Sequence, residues 1–166
     1  MYIEFLFVIA DYFSTLDKRS FIYDWGIAIF IGCASALGNL FGKIDLYVFV
    51  NNAHSFITTL LGFTLAALAL FLTNNATIDN LKKIITTKTI RGENISLYKL
   101  LLINFSYSII VESILCIGFY IGGIFCFINS LYIPIIINSI YVICLFNILL
   151  LTIRCITDLY LILSKT

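Results

Sequence analysis

The chain has 166 residues, of which 61% are hydrophobic, 16% aromatic and only 11% charged, with a formal net charge of +1 and a mean hydropathy of +1.07. That composition excludes an ordinary soluble domain, and the net charge of +1 carries no message about acidic partners, because in a membrane protein the placement of charges matters more than their sum. Five scattered cysteines, one histidine (His54) and no C-x-x-C pair leave neither a disulfide framework nor a zinc site in view, so no metal and no cofactor are expected.

The start, Met1 to Asp11, has an apolar stretch with Glu4 and Asp11 but no basic lead, so it does not read as a cleaved signal peptide. Within residues 1–20, Ile3, Leu6, Phe7, Ala10 and Phe13 recur at helical spacing, which predicts a short amphipathic helix. Two placements suit it: in the membrane interface, or packed on the basic loop described below.

A first span is expected over 22–42, where Trp25 to Gly42 is free of charge. A second is expected over 54–74, with its heart at Ser55–Thr73 between Asn51-Asn52 and Asn74-Asn75. Residues 79–99 are the one long hydrophilic stretch and are read as a basic loop carrying Lys82, Lys83, Lys88, Arg91 and Lys99. Between Ser113 and Ile153 no Asp, Glu, Lys or Arg occurs, which at about 1.5 Å per residue is roughly 60 Å of helix. A hydrocarbon core is about 30 Å thick, so this run holds parts of two spans, 100–127 and 133–156, joined by a tight hairpin over 126–133. Pro134 fits the first turn of the last span. The fold class expected is therefore all-α, a four-span helix bundle in one membrane domain with an N-terminal interfacial helix.

Lys18, Arg19, the five loop cations, Arg154 and Lys165 fall on one side of this arrangement and Lys43 alone on the other. The positive-inside rule then puts both termini in the cytoplasm.

Glu112 is the sharpest functional signal, an acid near the middle of the third span. Asn104, Ser108, Glu112, Cys116 and Tyr120 follow at intervals of four, one stripe on one face. Such a stripe faces a water-filled pathway or, alternatively, holds a protonated Glu112 against a polar group of a neighbouring helix. In the fourth span Asn147 is a second buried-amide candidate, and Arg154 is placed to pair with Asp158 or to snorkel to headgroups. Asn104, Ser108, Glu112 and Asn147 are thus the pore or gate candidates. Gly32, Ala36, Gly38, Gly42, Gly118 and Gly122 form small-residue patches suited to close helix packing within or between copies. A chain this small encloses a pore only as a homo-oligomer. Lys82, Lys83, Lys88, Arg91 and Lys99 are the candidates for binding a cytoplasmic partner protein or a nucleotide-type ligand, beside their role in orientation. No nucleophile with its base is visible, which points away from an enzyme.

The segment Ser55 to Leu70, followed by a basic loop and a span bearing Asn and Ser, resembles small multi-pass membrane proteins of bacterial anti-phage defence systems, the Hailong-type channel effector and the Kiwa-type membrane sensor. The resemblance implies a homo-oligomeric, tetrameric protein of the bacterial inner membrane. Such a protein either depolarises the cell or docks a cytoplasmic partner.

Overall fold

The structure, a computed structural model, describes residues 4–42, 46–73, 76–125 and 132–163, with side-chain surroundings for 4–42, 52–73, 78–118 and 135–158. The expected hairpin over 126–133, Lys43, Asn74-Asn75 and Lys165 fall wholly or partly outside these residues. In chain order come α1 (Glu4–Ser14), α2 (Lys18–Phe21), a π-helical turn (Ile22–Gly26), α3 (Ile27–Leu40), α4 (Leu46–Leu72), α5 (Ala76–Lys83), β1 (Ile85–Ile90), β2 (Glu93–Ser96), α6 (Leu97–Phe125) and α7 (Tyr132–Leu163). The class is all-α, and four helical rods are long and apolar enough to cross a bilayer: Lys18–Leu40, Asn52–Leu72, Leu97–Gly118 and Ile135–Asp158. Each corresponds to one expected span.

Local chemistry sets the ends of these rods. The first stops where Gly42 takes φ +64 and its N–H donates to the Asn39 carbonyl at 3.0 Å, a left-handed cap that glycine adopts without strain. At the start of α6, the Ser96 hydroxyl accepts the Lys99 N–H at 3.3 Å and caps the helix.

The four spans stand in a row, α3 on α7, α7 on α6, α6 on α4. The inner pair, α6 and α7, is the more buried, while the outer rods expose most of their surface. Among the described residues α3 and α4 make no comparable contact with each other.

The 79–99 stretch is corrected by the structure. It is not a loop but the end of α5 followed by an antiparallel hairpin, with Ile90 opposite Glu93 and Thr89 opposite Asn94. Arg91 (φ 52) and Gly92 (φ 85) form its two-residue tip, and positive φ at both central positions is what a tight hairpin of right-twisted strands requires. Ile90 and Ile95 turn inward and join Tyr12, Leu81, Leu97, Leu101, Phe105, Tyr107 and Leu151 in the larger apolar core. A smaller core, Ala53, Ile57, Leu115 and Ile148, lies further along the spans.

Helix α1 takes the second of the two placements, packed on the 79–99 segment and on α6. It packs on α6 and β1 through Val8, Ile9 and fully buried Tyr12, while the expected stripe of Leu6, Phe7, Ala10 and Phe13 is its exposed face.

Candidate functional site

The polar residues that chemistry would use are gathered between the spans in two groups. The first lies where α1, the π turn, α6 and α7 meet. Asp24 sits within the π turn, a widened helical turn that shifts the backbone ladder out of register and so redirects side chains and carbonyls. Its carboxylate, almost fully buried, is ion-paired and hydrogen-bonded to the Arg154 guanidinium of α7. Its backbone carbonyl accepts the Asn147 amide N–H at 3.2 Å, and the Asn147 oxygen accepts the Tyr107 hydroxyl at 3.1 Å. Tyr107 in turn stacks face to face on Tyr12, ring centroids 3.7 Å apart and planes 11° from parallel. Phe13 stacks on Trp25 at 5.7 Å, a second clasp between α1 and the π turn. Burial, helped by the nearby Asp24 charge, pushes the Tyr12 hydroxyl from the ordinary 10.0 up to about 12, so it stays neutral at physiological pH.

The second group is the α4–α6 seam. Glu112 is fully buried, and its Oε2 accepts the hydroxyl of Thr64, also fully buried, at 2.6 Å. A carboxylate held this way away from water is costly unless protonated or further partnered, and among the described residues its Oε1 has no hydrogen-bond partner. Ser108 and Asn104, one and two turns toward the basic end, are buried as well; Asn104 stands beside the Cys155 thiol of α7, and among the described residues neither of its amide atoms is in full hydrogen-bond geometry. The same holds for the side-chain atoms of Asn138 on α7.

All four pore or gate candidates, Asn104, Ser108, Glu112 and Asn147, are therefore interior to a single chain, none exposed by more than 2%. Asn147 belongs to the Asp24 network and Glu112 to the α4 seam. The expected Arg154–Asp158 pair is not formed, because Asp24 lies within reach across the α3–α7 seam and Arg154 turns to it instead. Sequence reasoning missed Asp24, Tyr12, Tyr107 and Thr64. Asp24 was hidden by its place one residue before the uncharged run that begins at Trp25, where it reads as a flank.

The loop cations divide. Lys82 pairs with Asp79 at 3.2 Å and lies 5.5 Å from the Tyr98 ring, and Lys88 is bonded to Asp17, fixing the hairpin to the start of the first rod. Lys83, Arg91 and Lys99 are exposed. Arg91 and Lys99 share a shallow cleft of about 350 Å³ with Asp11 and Glu93, which gives this face mixed charge rather than a cationic pocket.

The small residues divide likewise. A Cβ on Gly32 would stand 2.3 Å from Ile143 Cγ1, and one on Gly118 would stand 2.4 Å from the Tyr141 hydroxyl, so both are filled by α7 of the same chain. Ala36 and Gly38 are half-buried on α3, Gly42 is the helix cap with open space around it, and Gly122 lies on α6 outside the residues whose surroundings are described.

Comparison with protein families, curated proteins and solved structures gives no match to this chain.

Proposed function

We propose that the chain is a multi-pass membrane effector whose copies assemble into an ion-conducting pathway gated from the cytoplasmic side. The observation that carries this reading is Glu112, a fully buried acid in the middle of a span with one oxygen on Thr64 and the other without a partner among the described residues. Ionisable groups at this depth are retained where ions, protons or water pass, or where a gate must open. The outer rods, largely exposed, leave surface for contacts between copies. On this reading the protein resides in a bacterial inner membrane with cytoplasmic termini, the resemblance to anti-phage membrane effectors gives its role as depolarisation of an infected cell, and the copy number is four. In this conformation the acid is enclosed within one chain, so conduction requires α4 to move from α6.

A liposome flux assay tests it. Wild type is expected to release trapped ions, and Glu112→Gln, which keeps the shape but removes the charge, is expected to change the flux by at least about tenfold, the equivalent of about 1.4 kcal/mol at the barrier. Absence of flux from every variant sinks the channel reading.

A second reading has its own support. The α5 and hairpin unit is a formed surface with exposed Lys83, Arg91 and Lys99, and it is tied to α1 and the first rod. That suits a docking subunit for a cytoplasmic partner protein or a nucleotide-type ligand. Co-purification of a soluble partner that is lost on Arg91→Glu and Lys99→Glu would favour it.

A further inference from the structure

The first turns of the first rod and residues 150–158 of α7 leave a cleft of about 390 Å³ between them. Its upper wall bears Arg19, Tyr23 and Asp158, and its lower wall bears Ile27, Leu150 and Ile153. Four charges line it, but Arg154 and Asp24 neutralise one another in a direct ion pair. Arg19 and Asp158 make no direct ion pair or hydrogen bond among the described residues, although the Arg154 and Lys88 charges act on Asp158 at longer range; the Arg19 guanidinium lies 6.0 Å over the Tyr23 ring.

Arg19 precedes the uncharged run Trp25–Gly42 and Asp158 follows the uncharged run that closes at Ile153, so both belong to the charged flanks where hydrocarbon gives way to headgroups. Ile27 and Leu150 are each eight positions further in, about 12 Å at 1.5 Å per residue, which is acyl-chain depth. The cleft thus presents one cation and one anion at headgroup level above an apolar trough. We infer that it is a binding site for a phospholipid with a phosphoethanolamine headgroup, the phosphate on Arg19, the ammonium on Asp158 and the upper acyl chain along Ile27, Leu150 and Ile153.

The chemistry distinguishes this lipid from its neighbours. A guanidinium donates to phosphate oxygens, and a primary ammonium has three N–H donors for a carboxylate. A trimethylammonium has none, so a choline headgroup forgoes the Asp158 bond. A glycerol headgroup has neutral hydroxyls to donate to Asp158 but no positive charge, and its net negative charge is repelled by the carboxylate. The inference needs only that the two rods lie in a bilayer, and it stands or falls separately from conduction.

The chain has a single tryptophan, Trp25, next to Asp24 of the cleft wall, which provides the readout. The full chain is reconstituted into phosphatidylcholine vesicles in which a minor lipid, brominated on the upper acyl chain, carries an ethanolamine, choline or glycerol headgroup. Brominated phosphatidylethanolamine is expected to quench Trp25 at a mole fraction several-fold lower than the other two, and Asp158→Asn or Arg19→Gln to bring it to the choline level while Asp158→Glu does not. Equal quenching by all three lipids in the wild type, which is ordinary annular contact, overturns the inference, and so does preference for the glycerol headgroup.

Discussion

The α3–α7 and α4–α6 seams solve the same problem, joining two apolar rods, in different ways. At the α3–α7 seam the backbones close until Gly32 lies under Ile143, and the seam is fastened by the Asp24–Arg154 ion pair and by the Asn147 bond to the Asp24 carbonyl. At the α4–α6 seam Ala53, Ile57 and Leu115 pack side chain against side chain, Gly62 has open space beside it, and two polar links are described, Thr64 to Glu112 in the interior and the Tyr98 hydroxyl to the Phe71 carbonyl at 3.2 Å near the rod ends. Where lipid is as apolar as the helix surface, association rests on close packing and on polar bonds between helices. The first seam uses both fully. The second keeps its acid only half satisfied, which is what a seam that opens would show.

Breaking the ion pair should have the largest effect. Asp24→Ala takes the buried partner from the Arg154 guanidinium and leaves it only Asp158, one turn along α7, and removal of one partner of a buried pair costs about 3–5 kcal/mol. Arg154 keeps 27% of its side-chain surface exposed, so the loss is expected near or below the lower figure, read as a fall in thermal or denaturant stability in detergent. Arg154→Met should recover most of it in the double variant, since the cost is an orphaned charge rather than a lost attraction.

Next comes Gly32→Ala. Its new methyl meets Ile143 Cγ1 at 2.3 Å and the Ser139 backbone oxygen at 3.2 Å, and neither is the free end of a flexible chain. Overpacking of this kind costs about 1–3 kcal/mol. A smaller loss is expected of Thr64→Val, which removes the one bond Glu112 makes: about 1 kcal/mol or less at neutral pH, in line with polar bonds between membrane helices. If the two seams were equivalent, Thr64→Val and Asp24→Ala would cost the same.

The spans were legible in the sequence because lipid imposes a single rule, length of uncharged chain, and that rule is local. The stripe of Asn104, Ser108 and Glu112 was legible for a similar reason, since helical spacing alone puts three polar groups on one face and depth makes them costly. What the stripe faces was not legible: Thr64 is 48 residues away from Glu112 and is one of several threonines on α4. Asp24 and Arg154 are separated by 130 positions, so nothing short of the helix order reveals their pairing. The hairpin is different, since its signal was present. Ile85, Thr86, Thr87, Lys88, Thr89 and Ile90 are mostly β-branched, and Arg91-Gly92 is a turn pair, but the five cations drew the reading toward a solvated loop.

The smallest effect is also the most direct comparison, because it repeats the Gly→Ala change of the α3–α7 seam on the α4 rod. Gly62 has no atom within 4 Å of where its Cβ would stand, and its backbone is ordinary helix. Alanine there loses less backbone entropy than glycine on joining a helix, a preference of up to about 1 kcal/mol. Gly62→Ala should therefore be neutral or slightly stabilising for one chain, opposite in sign to Gly32→Ala. If copies pack through α4, the added methyl would instead weaken the oligomer while leaving monomer stability intact, which cross-linking or light scattering in detergent would register beside the melting curve. A destabilised monomer would mean that α4 is closed upon from within the chain, and the contrast between the two seams would then be lost.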